Sequence, residues 1–244
     1  MRVAVIGAGA WGTALARLAA SRAEVRLWAR EPEVVQAVRE RGENALFLPG
    51  YPLPPAVACT ADLGEALPGA EVVIMAVPSH GFRAVLRRAL GVLPAAAPII
   101  SVTKGIEQQS LKRMTEIVLE ETGRDPAGVG VLTGPNLARE IAAGQPAATV
   151  VATADPAPGL AVQALLMGPT LRVYTNPDVV GCEAAGALKN VMAIAAGIAH
   201  GLGFGDNSTA ALVTRALAEL TRLGVAMGGR PLTFAGLAGM GDLV

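Results

Sequence analysis

Apolar positions along this chain follow one rhythm for about its first three quarters and another thereafter. Up to Tyr174, blocks of three to seven mostly apolar residues alternate with segments whose apolar residues recur at three- and four-residue spacing. Short apolar blocks bounded by turn residues predict buried strands, and the longer spacing predicts helices with one face turned inward. The predicted strands are Arg2 to Ile6, Glu24 to Trp28, Val57 to Cys59, Glu71 to Val77, Pro98 to Thr103, Val129 to Thr133, Ala147 to Ala152 and Leu171 to Tyr174. Between them lie predicted helices at Thr13 to Ala20, Pro32 to Arg41, Leu63 to Leu67, Phe82 to Leu90, Ser110 to Glu121, Leu137 to Ala143 and Pro158 to Leu166. This alternation implies right-handed crossovers and a doubly wound, mainly parallel sheet, with the last two strands antiparallel or at an edge. From Val179 onward no strand pattern remains. Two long helices, Val179 to His200 and Asn207 to Met227, are joined by the glycine-rich Gly201-Leu202-Gly203-Phe204-Gly205. The change of rhythm predicts a domain boundary near Asp178, with an α/β domain over residues 1–178 and an all-α domain over 179–244.

Composition narrows the function classes. Of 244 residues 52% are hydrophobic and 16% charged, which excludes a disordered chain. Acidic and basic residues balance at 20 each, so no strongly basic surface points to nucleic acid or to an anionic membrane. The first strand begins at Arg2, leaving no room for a signal peptide, and Lys189 interrupts the best candidate for a membrane span. Cys59 and Cys182 are isolated and lack metal-ligand spacing. The expectation is a soluble cytoplasmic protein without membrane insertion, nucleic-acid partner or metal.

Two features carry chemistry. Directly after the first strand comes Gly7-Ala8-Gly9-Ala10-Trp11-Gly12, and a helix follows it. This is G-x-G-x-x-G in the setting that gives it meaning. Gly7 allows the tight turn, Gly9 lets a pyrophosphate approach, and Gly12 lets the helix pack on the sheet. The first domain is therefore expected to be a Rossmann-type dinucleotide-binding domain. Ala29-Arg30-Glu31 stands where a ribose-reading acid would favour NAD; Arg30 can instead face a 2′-phosphate, so NADP is expected with NAD tolerated. The alternative for Arg30 is a solvated loop charge. In such a sheet ligand groups belong at the carboxyl ends of the strands, where Val77-Pro78-Ser79-His80 and Val102-Thr103-Lys104-Gly105 lie.

The second feature is Lys189, alone among the apolar residues from Ala184 to Ala199. Only three of the 20 basic residues are lysines, Lys104, Lys112 and Lys189, so arginine is the default cation here. A lysine in that setting suits a compact ammonium able to release a proton, and a snorkelling surface lysine is the plainer alternative. Lys112, with Glu116 four residues on in the predicted helix, reads as a solvated pair.

Together these stretches resemble the bacterial-type NAD(P)-dependent glycerol-3-phosphate dehydrogenases. The resemblance rests on GAGAWGTALA from Gly7, VPSH from Val77, SVTKGIE from Ser101, TGPN from Thr133, EAAGALKNVMAIAAGI from Glu183, GDNSTAALVTRA from Gly205 and GLAGMGDL from Gly236. It implies reversible oxidation of sn-glycerol 3-phosphate to dihydroxyacetone phosphate, feeding glycerophospholipid synthesis, with a phosphorylated small molecule as substrate. It further implies that Lys189 is the catalytic proton acceptor and donor. Lys104, Gly134, Asn136, Lys189, Asn190 and Asp242 would surround the substrate, and Ala10, Trp11, Arg30, Lys104 and Ala138 would line the cofactor. Where this chain has Asn136, bacterial members usually have serine. Family chains continue beyond the position of Val244 into a Ser-Arg-Asn segment that resembles a clamp for the substrate phosphate, so the helical domain is expected to be incomplete. An exposed helical face would then favour association, including a homodimer, or disorder. The alternatives are an NAD(P)-binding module or inactive fragment lacking that clamp, and a related 3-hydroxyacid or ketopantoate-type dehydrogenase.

Overall fold

The computed structural model of the chain describes residues 1–243, so what was expected at Val244 lies outside the described residues. In chain order the first elements are β1 (Arg2–Ile6), α1 (Ala10–Ala19), β2 (Glu24–Trp28), α2 (Pro32–Arg41), β3 (Val57–Thr60), α3 (Leu63–Ala66), β4 (Val72–Met75), α4 (Ser79–Ala89), β5 (Ile99–Ser101) and α5 (Met114–Thr122). There follow β6 (Val129–Thr133), α6 (Ala138–Ala142), β7 (Ala147–Thr153), α7 (Pro156–Leu166), β8 (Leu171–Asn176), α8 (Val179–Gly201), α9 (Asp206–Ala226), α10 (Pro231–Phe234) and α11 (Met240–Leu243).

The strands form one sheet in the order β3-β2-β1-β4-β5-β6-β7-β8. β1 to β6 are parallel, β7 runs antiparallel to β6, and β8 pairs in parallel with β7 at the edge. The central strands are apolar on both faces because helices cover both sides. Val3 and Val5 of β1 belong to the core cluster that includes residues of α1, α2 and α7, while Ala4 and Ile6 belong to the one that includes residues of α3, α4 and α5. Strand order reverses between β1 and β4, and a crevice opens there at the carboxyl ends of the strands.

α8 starts on a buried cap. The Asp178 carboxylate accepts from the Gly181 N–H at 2.8 Å, from the Arg230 N–H at 2.7 Å and from the Thr233 hydroxyl at 2.6 Å. One side chain thus caps α8 and ties α10 to its start. Cys182, Ala184 and Ala185 then pack with Val131, Val150, Leu220 and Phe234 in a third core cluster. By length and composition alone α8 is long and apolar enough to cross a membrane, with Lys189 as the charge inside the run, a property that core helices share. The first turns of α8 are nevertheless core, and Val191, Ile194 and Ile198 beyond them are exposed.

The reading of Lys112 is corrected. Leu111 has a positive φ of 56°, which a helix interior does not accommodate, and an isolated bridge joins Ile106 to Arg113. α5 therefore begins at Met114 with Arg113 as its cap, and Lys112 pairs with Glu120 at 2.9 Å rather than with Glu116.

Candidate active site

The glycine turn is built by contact at two positions and by space at the third. Gly7 has φ +117°, and a Cβ there would lie 2.4 Å from the Ala76 carbonyl oxygen. A Cβ on Gly12 would lie 1.9 Å from the Gly7 carbonyl oxygen, whereas one on Gly9 meets nothing within 4 Å. Packing requires Gly7 and Gly12; the gap at Gly9 leaves backbone open to a ligand. α1 begins on Gly9 without a side-chain cap, so its first N–H groups and positive dipole end are offered to an anion. This is the donor set a dinucleotide pyrophosphate requires.

The turn opens on a cleft of about 530 Å³. Gly7, Gly9, Ala10, Trp11 and Gly12 line one side, Arg30 and Glu31 stand at the end of β2, and Val102, Thr103 and Lys104 close the far side. Ala138 does not line it; it packs behind, in the cluster containing Ala10 and Trp11. The Arg30 guanidinium is exposed and donates to the Glu31 carboxylate at 2.7 and 3.0 Å.

Asn44 and Phe47, which sequence reasoning missed, shape the cleft together with Thr103, which lies in a strand-end segment already singled out. Asn44 is fully buried and donates to the Ala8 carbonyl and the Thr13 hydroxyl, both at 2.8 Å, while its own side-chain oxygen accepts from the Phe47 N–H at 3.2 Å. It thereby pins the loop after α2 over the glycine turn and sets Phe47 in the cleft wall. The Thr103 hydroxyl donates to the Val77 carbonyl at 2.6 Å, joining the segments that follow β4 and β5. A polar residue inside an apolar loop, or beside a lysine at a strand end, was the only available signal.

Beyond Lys104 lies an ion cluster built from three distant parts of the chain. Lys104 Nζ donates to the Gly134 carbonyl at 3.1 Å and to Asp242 Oδ2 at 2.5 Å. Lys189 Nζ donates to Asp242 Oδ1 at 2.5 Å and to the Asp242 backbone carbonyl at 3.0 Å. One buried carboxylate is therefore shared by two half-buried ammonium groups. Burial lowers the proton affinity of Lys104, the Asp242 carboxylate opposes that shift, and Lys189 reinforces it.

Next to the cluster, Gly134 turns the chain with φ +137° after β6. Both polar atoms of the Asn136 side chain, and the Thr133 hydroxyl, are buried without a hydrogen-bond partner. Buried polar atoms are normally satisfied, so the Asn136 atoms suit contact with a bound molecule. Asn190 follows Lys189 on α8 but is exposed. Burial pushes the Cys59 thiol up to about 11 and the Cys182 thiol up to about 12, which makes both inert near neutral pH.

Comparison with known proteins agrees with this arrangement along the whole chain. Residues 2–158 match the family model of the N-terminus of NAD-dependent glycerol-3-phosphate dehydrogenase, and residues 178–244 match that of its C-terminus. A glycerol-3-phosphate dehydrogenase [NAD(P)+] of Sphingopyxis alaskensis is 53% identical over all of this chain, which spans 73% of that relative. One from Frankia casuarinae is 52% identical, again over 100% of this chain and 73% of its own length. The crystal structure of glycerol-3-phosphate dehydrogenase from Coxiella burnetii superimposes with a TM-score of 0.94 at 40% identity, covering 99% of this chain and 74% of that one. A ketopantoate reductase from Ralstonia eutropha, of the class weighed above as an alternative, shares only the fold, with a TM-score of 0.57 at 17% identity. The chain belongs to the NAD(P)-dependent glycerol-3-phosphate dehydrogenases.

Proposed function

We propose that this enzyme, which interconverts sn-glycerol 3-phosphate and dihydroxyacetone phosphate with NAD(P), uses Lys189 to move the proton on and off the C2 oxygen. The observation that carries this reading is the single Asp242 carboxylate holding Lys189 and Lys104 together at the edge of the dinucleotide cleft. The bound nicotinamide supplies hydride exchange at C2. Gly7, Gly9, Ala10, Trp11 and Gly12 hold the dinucleotide, with Arg30 at the ribose phosphate and Ala138 behind the wall. Asp242 orients the Lys189 ammonium, and Lys104 places positive charge where alkoxide character develops on the C2 oxygen. Gly134, Asn136 and Asn190 complete the polar surroundings of the substrate. On this reading residues 1–178 form the nucleotide-handling domain and residues 179–244 bring the proton-transferring helix.

We further place the enzyme in the cytoplasm, in keeping with its two free cysteines, and the exposed Val191, Ile194 and Ile198 favour a homodimer. Substrate class is tested by following NADPH absorbance on addition of dihydroxyacetone phosphate or of 2- and 3-oxoacids. Oxidation is expected with the triose phosphate alone; faster oxidation with an oxoacid would reject the assignment. For the cofactor, Arg30→Asp removes the cation facing the 2′-phosphate and adds a like charge. It is expected to shift the NADPH-to-NADH preference in kcat/KM by about 10- to 100-fold toward NADH, and an unchanged ratio would take Arg30 out of cofactor reading.

A further inference from the structure

We propose that Glu183 is a positioning residue for this reaction: gripped by Arg113 and Thr115, it seats α8 so that Lys189 meets the carboxylate it shares with Lys104. This rests on the role of Lys189 proposed above. The Glu183 side chain is almost wholly buried and accepts three hydrogen bonds, from the Thr115 N–H at 2.9 Å, the Thr115 hydroxyl at 2.5 Å and Arg113 Nη1 at 3.0 Å. Thr115 lies in the first turn of α5, so its N–H is one that the helix itself leaves without a partner. Arg113 is the residue that caps that helix.

The consequence follows from connectivity. The loop that starts at Lys104 ends at Arg113, and both of its ends are tied to α8. Lys104 is tied through Asp242 to Lys189, and Arg113 and Thr115 are tied directly to Glu183. Glu183, Gly186 and Lys189 recur at every third position, so that each neighbours the next on the helix surface. Between the two tethers, a Cβ on Gly186 would lie 2.6 Å from the Thr133 hydroxyl, so α8 already lies on the end of β6 as closely as a glycine permits. Sliding or rotating α8 breaks a contact at Glu183, at Gly186 or at Lys189. A buried ion pair adds little to stability relative to apolar packing, but its geometry specifies register. Here the specified register is that of the proton-transferring lysine.

The test is Glu183→Gln in the enzyme, with Arg113→Gln as a second variant that loosens the same grip from the less buried side. Four quantities are read: the NADPH dissociation constant and number of sites, kcat, KM for dihydroxyacetone phosphate, and the primary isotope effect with NADPH deuterated at the transferred hydrogen. Expected for Glu183→Gln are NADPH affinity and KM within about 3-fold of wild type, kcat lowered about 10- to 100-fold, and a larger isotope effect as the misplaced lysine slows the chemical step. Arg113→Gln is expected to move the same quantities in the same direction by about 3- to 10-fold. Glu183→Asp, which keeps the charge on a shorter arm, is expected to recover part of the lost kcat. A kcat per NADPH-binding site equal to wild type, with an unchanged isotope effect, would overturn the proposal. If Glu183→Gln does not fold, Arg113→Gln decides by the same criteria. A normal Glu183→Gln beside an inactive Lys189→Arg would sink only this inference, whereas an active Lys189→Arg would sink the reading beneath it.

Discussion

Lys189→Arg is expected to lower kcat by roughly 10³-fold while NADPH binding stays near wild type. Arginine keeps the positive charge and can still bond Asp242, so the ion cluster retains its electrostatic balance. What it cannot do is give up a proton, because a guanidinium stays protonated at every accessible pH. The variant therefore separates charge from proton transfer at one position. Steady-state kinetics in both directions, with NADPH fluorescence titration as the check on folding and cofactor binding, make the measurement. Turnover within about 10-fold of wild type would remove Lys189 from the proton-transfer role and leave it an electrostatic one.

The second large effect is expected at Asp242. Asp242→Asn removes the charge that two lysines share and leaves two partly buried ammonium groups facing each other. Turnover is expected to fall about 100-fold, because the two lysines lose their shared charged anchor and keep only the Gly134 and residue-242 backbone carbonyls. The pH dependence carries a definite sign. Burial already lowers the proton affinity of Lys104, Asp242 opposes that shift, and Lys189 adds to it. Without the carboxylate charge the opposition is gone, so Lys104 loses its proton at lower pH, and the high-pH limb of the rate profile moves toward lower pH. Stability responds in the corresponding way. A lysine with lowered affinity in the fold binds fewer protons than in the unfolded chain, so its cost is full below the folded pKa. That cost is relieved as pH rises from there toward the ordinary lysine value. The melting-temperature deficit of Asp242→Asn is therefore expected to narrow as pH rises toward the ordinary lysine value. A deficit independent of pH, with an unmoved rate profile, would mean that Asp242 does not govern the charge of Lys104.

Local order was legible because it has a local cause. An apolar strand, three glycines at fixed spacing and a helix follow one another within the first twenty residues, and backbone sterics at Gly7 and Gly12 make that turn the same wherever it occurs. Alternating periodicity likewise announced the parallel sheet, the change at Asp178 and the two long helices. Where the reading slipped, at Lys112, the cause was a positive φ at Leu111, which side-chain periodicity does not encode. At Asn44 and Glu183 it was silent, because a polar residue in an apolar setting does not name its partner.

By itself, then, the sequence determined the sheet, the glycine turn and the presence of a lysine too lonely for its surroundings. It did not determine what that lysine touches. Lys189 and Asp242 are 53 residues apart, and Lys104 and Asp242 are 138 apart. No periodicity relates positions at such separations; only the docking of α8 and α11 against the strand ends brings them within 2.5 Å. The shared carboxylate, the lowered proton affinity of Lys104 and the tether at Glu183 are consequences of that docking. A charge acquires its energy from distance and burial, and tertiary structure alone sets both.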